Sequence, residues 1–377
     1  MSLPPNLAAQ GGERPAAKGE FIAYVGTFTT TQKSKGIYAC RFQPATGALT
    51  SAGLVAETAN PTFLAVDPSR RFLYSVNAIA NYEGQTAGSI SSFSMDARTG
   101  GLKLLNRVSS RGAGPTHLVV DRTGRRLLAA NFTGGSVAAF PVKGDGSLGE
   151  ASSFFQHTGS SVNPRRQAGP HAHSVNLSHD NRFVLVADLG LDQVLSYRLD
   201  PGKAVLALND PPLVKVSPGS GPRHMAFHPN GRFAYVINEM LSTVTAFAYD
   251  PARGRLKELQ TISTLPKDFS GRNTAAEVAV DRTGRFLYGS NRGHDSIALF
   301  TIDPRKGTLT LVEQVSTQGK APRYFTFDPT GRYLLAANQD SDNIVLFRAD
   351  QISGRLTPAG RSIEVPSPVC VVFVPAR

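Results

Sequence analysis

An eleven-residue element recurs six times along this 377-residue chain, and few folds can accommodate that. An acidic or polar residue opens it, a Gly-type turn and an arginine follow, and an apolar stretch ends on Asn or Asp. The copies are Asp67–Asn77 (DPSRRFLYSVN), Asp121–Asn131 (DRTGRRLLAAN), Ser178–Asp188 (SHDNRFVLVAD), His228–Asn238 (HPNGRFAYVIN), Asp281–Asn291 (DRTGRFLYGSN) and Asp328–Asn338 (DPTGRYLLAAN). Successive copies start 47 to 57 residues apart, a period typical of radial or stacked repeats. A short apolar run precedes each copy and a second hairpin follows it. In one such hairpin Ser296–Phe300 leads through Asp303, Pro304 and Gly307 to Leu309 and Leu311.

Second hairpins start near Gly36, Gly88, Gly135, Asp192, Ser242, Asp295 and Asp342, seven against six complete anchors. The chain ends account for the difference. Ala23-Tyr24-Val25-Gly26-Thr27 supplies one strand, and Pro368–Phe373 repeats the run Pro61–Val66. The C-terminal strand is therefore expected to be the innermost strand of the blade that the N-terminus begins, which closes the ring and leaves no free sheet edge. The predicted fold is all-β: a single seven-bladed β-propeller of four-stranded antiparallel blades over residues 21–377, preceded by a disordered tail, residues 1–20. That scheme puts Cys370 on a first strand and Cys40 on a third. Two strand spacings of about 4.8 Å exceed disulfide reach.

Composition agrees with many short strands joined by turns: 36 Gly, 25 Pro and no long apolar-periodic helix. No run approaches the ~18 apolar residues of a membrane span. The first 20 residues lack an apolar core behind a basic start, so cytoplasm is the default compartment, with export of a processed form as the alternative. The net charge of +12 suits an anionic ligand. Many arginines, however, sit in the repeated turn and read as solvated rim charges, which argues against nucleic acid.

A tight turn joins strands one and two of every blade, so the start of strand one and the end of strand two share one face of the disc. Thr116 and His117, His171 and His173, Arg223 and His224, Glu277, and Arg323 and Tyr324 fall at strand-one starts. Glu239 and Arg292 lie just past strand two, with His294 nearby. Side chains that vary from blade to blade on one face of a symmetric scaffold mark a grafted site. The recurring Asn or Asp at the end of strand two reads as structural, holding the next loop by side-chain hydrogen bonds. His117 and His224 also fit as hydrogen-bonded channel lining, and Arg323 as an ion-pair partner of Glu277 or Glu239.

At these residues the chain resembles the seven-bladed propeller lactonases, a family that includes bacterial propeller-type 6-phosphogluconolactonase and the carboxymuconate lactonizing enzyme. The resemblance spans nearly the whole chain. It is carried by Gly169-Pro170-His171-Ala172-His173-Ser174, Gly221-Pro222-Arg223-His224-Met225, Val236-Ile237-Asn238-Glu239 and Ser290–Ser296. It implies a catalytic set of His173, Glu239, Arg223 and Arg292, with His171, His117, His224, Glu277 and Arg323 as substrate-binding candidates. The chain departs from the bacterial pattern at Glu277-Val278-Ala279 and at Tyr324.

These groups suit lactone hydrolysis, which needs an activated water, a stabilised oxyanion and a proton for the leaving alkoxide. Glu239 and His173 are the candidate base and acid in either order, and the arginines suit an oxyanion, carboxylate or phosphate. The expected substrate is a small anionic lactone; no cofactor or metal is required, and neither membrane nor nucleic acid is expected as a partner. A muconate-type cycloisomerase, another lactonase and a non-catalytic binding propeller are the competing readings. The absence of Trp counts against a WD40-type scaffold.

Overall fold

A computed structural model describes residues 19–30, 32–200 and 202–376. Residues 1–18 of the expected tail lie outside the described residues, whereas Glu20 already pairs with Arg41. The chain forms seven four-stranded antiparallel sheets. Six take their strands in sequence order. The seventh is ordered Pro368–Pro375, Phe21–Thr27, Gly36–Gln43, Ala48–Glu57, so both chain ends meet in one blade. Ala23 faces Phe373 and Val25 faces Val371 across that join. First strands of neighbouring blades touch all the way round, which closes the ring about a central channel. Cys40 and Cys370 are buried and unbonded. We number the blades in chain order, so the shared blade is the seventh.

The hydrophobic core is divided among the blade interfaces. Phe233, Tyr235 and Ile237 of blade 4 pack on Leu287, Ala298 and Phe300 of blade 5, and equivalent clusters fill the other interfaces. Second strands such as Phe233–Asn238 are consequently buried on both faces, whereas the outer strand Arg255–Ser263 alternates with solvent.

The repeated turn builds these interfaces. Asp281 Oδ1 accepts the amides of Arg285 and Phe286, which holds the turn in shape. The phenyl ring that follows receives the outer-hairpin glycine of the next blade: Gly307 sits on Phe233, Gly254 on Phe183 and Gly354 on Phe286. Tyr235 and Tyr288 donate their hydroxyls to Gly307 O (3.1 Å) and Gly354 O (2.7 Å) in the same way. The turn arginines are exposed, as expected, but not merely solvated. Arg182 donates to Pro251 O at 2.8 Å and Arg332 to Pro44 O at 3.3 Å, each reaching into the next blade.

The Asn and Asp residues ending strand two are structural in a modified sense. Asn131, Asn291 and Asn338 donate to Ser110 O, Thr264 O and Thr317 O, carbonyls of the segment that enters the blade rather than the loop that leaves it. Asp188 grips the backbone of the loop after it, through the amides of Gly190 and Leu191, and Asn131, Asn238, Asn291 and Asn338 reach the side chain five residues on, where that loop ends.

Gly307 and Gly360 both have positive φ, +72° and +65°, but a Cβ on Gly307 would strike the Phe233 ring while one on Gly360 meets nothing within 4 Å. Gly360→Ala should cost about 1 kcal/mol of unfolding free energy, the backbone cost alone. Gly307→Ala should cost about 1–3 kcal/mol more, measured by urea denaturation. Equal losses would show that the glycine seat contributes nothing to the blade interface.

Candidate active site

A repeated irregularity aims the site. Where strand one enters a blade it carries a β-bulge, so that one residue escapes the ladder. Pro222 faces Asn238 and His224 faces Ile237, which leaves Arg223 between them. The same slip frees Thr116, His173 and Arg323 in blades 2, 3 and 6. Bulges re-aim side chains in this way. The bulged residues Thr116, His173 and Arg323 line one cavity of about 320 Å³ at the channel mouth, with Thr62, Arg166, Glu239 and Arg292 among the others. The residues after the bulges of blades 2, 4 and 6 point deeper instead, where Phe63 of blade 1 joins them. Phe63, His117, His224 and Tyr324 form an aromatic layer below, with ring centroids 4.0 Å apart for Phe63 and His117 and 5.2 Å for His117 and His224.

Glu239 is the centre. Its amide donates to Gly221 O (2.7 Å) and its carbonyl accepts from Ala275 N (3.0 Å), so two neighbouring segments fix its backbone. Its Oε2 lies 2.9 Å from Arg292 Nη2, 3.3 Å from Arg223 Nε and 3.9 Å from His173 Nε2. Its Oε1 lies 2.6 Å from Arg166 Nη2. The two inner arginines are held by backbone carbonyls, Arg223 by Ala276 O (2.6 Å) and Arg292 by Ala275 O (3.1 Å). Burial works against the Glu239 charge, but Arg292, Arg223 and Arg166 outweigh it and keep the carboxyl well below its ordinary value. The pKa of His173 is lowered too, but here burial and then Arg223 act in the same direction, taking it well below 6.5, and the imidazole is neutral at neutral pH. Its Nδ1 is buried with no hydrogen-bond partner, as is Arg292 Nε. Arg223 falls to about 10 through burial and Arg292, and stays charged.

The remaining candidates separate by depth. His224 Nδ1 and Glu277 Oε2 are 2.8 Å apart in the lower layer. Burial raises Glu277 to about 8 and lowers His224, so the carboxyl keeps its proton and donates to the imidazole. His171 stacks on Phe132 at 4.7 Å and donates Nδ1–H to Phe132 O (2.9 Å). His294 bonds Ser296 Oγ at 2.6 Å. Arg323 makes no ion pair with Glu277 or Glu239; its guanidinium lies 5.1 Å over the Phe28 ring.

Arg166 is absent from the sequence-derived set. It sits on the segment from His157 to Pro170, which Asn163 caps and which the Gln167 side chain ties to Leu189 O. The unusual length between two blades and the pair Arg165-Arg166 are visible signals. Which of the two arginines reaches Glu239 depends on the Asn163 turn.

A propeller whose channel mouth joins a carboxylate, a neutral histidine and clamping arginines has the make-up of an ester-hydrolysing enzyme. The family model described as "Lactonase, 7-bladed beta-propeller" matches residues 22–373, and the chain belongs to that family of lactonases. It is 39% identical to the 6-phosphogluconolactonase of Bacillus subtilis, over 94% of this chain and 99% of that one. A 6-phosphogluconolactonase of Formosa agariphila is 36% identical, over 81% and 86%. The solved structure of a Pseudomonas aeruginosa periplasmic gluconolactonase superimposes with a TM-score of 0.89 at 38% identity, covering 95% of this chain and 100% of that one. No helix among the described residues is long and apolar enough to cross a membrane.

The Glu239 charge stabilises the fold only while it is present. Its folded pKa is depressed, so that contribution is complete above the ordinary value of 4.5 and lost as pH falls through the lower folded value. Glu239→Gln should lower unfolding free energy at pH 7 by about 3 kcal/mol, because it strands buried arginines. The gap to wild type should narrow as pH drops below 4.5 in urea titrations. A gap independent of pH would contradict the ion-pair account.

Proposed function

We propose that the protein hydrolyses 6-phosphogluconolactone or a closely related sugar lactone, with His173 as the proton shuttle. The placement of His173 Nε2 3.9 Å from a Glu239 carboxylate that is itself held by two backbone-anchored arginines carries this reading. A water attacks the lactone carbonyl and gives its proton to His173. The carbonyl oxygen becomes an oxyanion beside Arg223 or Arg292. As the ring C–O bond breaks, His173 returns the proton to the departing ring oxygen, and the product is a hydroxy acid that ionises. Glu239 is too weak a base for the first step, since its surrounding cations hold it ionised. Its charge instead stabilises the imidazolium formed on His173, as a buried aspartate does in a hydrolase triad. The names of the relatives and the basic mouth support the phosphorylated sugar as substrate.

Wild type should hydrolyse 6-phosphogluconolactone in a pH-stat assay, and His173→Asn should lose about 10²–10⁴ in kcat. Because His173 titrates well below 6.5, kcat/KM should be flat just above that pH and fall only on its acid side. Wild type without turnover of either this lactone or its unphosphorylated parent would overturn the reading. So would an unimpaired His173→Asn.

A further inference from the structure

Four guanidinium groups surround the mouth, and among the residues lining the cavity Glu239 is the one carboxylate. Arg166, Arg223 and Arg292 are all engaged by Glu239. Arg323 is not: no ion pair or hydrogen bond is made by its side chain among the described residues, its guanidinium lies over the Phe28 ring, and Glu239 and Asp340 act on it only at longer range. Across blade 7 from Arg323, in the corresponding place of blade 1, lies Thr62. This residue is only 6% exposed, and its Oγ1 is buried without a hydrogen-bond partner. Arg323, Phe28 and Thr62 line the same cavity as Glu239. Their neighbours in sequence, Tyr324 and Phe63, touch with ring centroids 5.9 Å apart. The trio belongs to blades 6, 7 and 1, on the side of the channel opposite His173, Glu239 and Arg292 of blades 3, 4 and 5.

We propose that Arg323 and the Thr62 hydroxyl, walled by Phe28, form an anion subsite for the phosphate monoester at the far end of a sugar lactone. The subsite deepens the lactonase reading given above and rests on it for the identity of the reacting end. A phosphorylated δ-lactone carries its ester and its phosphate on separate parts of the molecule, as one cavity carries Glu239 on blade 4 and Arg323 on blade 6. A dianion also meets the excess of positive charge better than a neutral sugar or a single carboxylate. Guanidinium and hydroxyl together supply charge-assisted and neutral donors to the phosphate oxygens.

The test is the ratio of kcat/KM on 6-phosphogluconolactone to that on gluconolactone, for wild type, Arg323→Gln and Thr62→Val. The ratio should fall about 10- to 100-fold in Arg323→Gln, the worth of one charge-assisted bond, and less in Thr62→Val. Calorimetric binding of 6-phosphogluconate against gluconate gives a readout independent of turnover. Wild type should prefer the phosphorylated acid by about tenfold or more, and Arg323→Gln should lose that preference. An unchanged ratio together with an unchanged binding preference would overturn the subsite. A wild type that binds with the preference but hydrolyses neither lactone would leave the subsite standing and remove the lactonase reading.

Discussion

The pairing of Phe21–Thr27 with Pro368–Pro375 is the constraint on which everything else in this molecule depends. Each blade is a sheet whose two faces must both be covered, and each finds its cover only in the blades beside it. An open row would leave two apolar faces in water. Joining the chain ends in one blade covers both and leaves only the short edges at the channel and rim. It also fixes the channel radius, because seven first strands must touch their neighbours all the way round. The glycine seats and turn arginines then tie adjacent blades together. Glu239 from blade 4 meets Arg292 from blade 5 at 2.9 Å above the packed interface between those blades.

Within this frame the bulge at the head of strand one separates structure from chemistry. Without it, consecutive residues would alternate across the faces of the sheet, and the mouth would receive little but backbone. With it, in blades 2, 3, 4 and 6 one residue is lifted out of the ladder toward the mouth, and in blades 2, 4 and 6 its successor packs the channel below. The upper position tolerates Thr, His or Arg because it is not part of the inter-blade core. The lower position is apolar, aromatic or neutralised by pairing, as Glu277 is by His224 and its own retained proton. That dry layer limits water beneath the site and strengthens the interactions above it.

The fold was legible because a period of about fifty residues and a shared blade at the chain ends are properties of the sequence itself. The separation of Cys40 from Cys370 followed from strand order alone. The convergence on one mouth was legible too, since strand order fixes which ends of strands share a face. Depth was not. Arg223 and His224, or Arg323 and Tyr324, are adjacent in sequence, and a one-residue slip decides which of each pair faces the cavity. No residue type announces that slip, although Gly221-Pro222 and Ala321-Pro322, with φ of +64° and +55° before the proline, mark where it occurs. Arg166 was hidden for a different reason. It lies on a connection outside the repeat, so the internal symmetry that locates the other residues gives it no coordinate.

The electrostatics of the mouth explain why acid and base are divided as they are. A lone carboxylate at this depth would take up a proton, and a lone arginine pair would repel. Together they leave Glu239 charged and His173 neutral: the arginines depress both groups, Glu239 against its burial and His173 in addition to it. Arg166 differs from the other two: its side chain is 42% exposed, and it meets Glu239 through the outer oxygen only. Of the three cations on Glu239 it is the one free to turn toward an arriving anion without breaking a backbone contact, whereas Arg223 and Arg292 are tied to Ala276 O and Ala275 O.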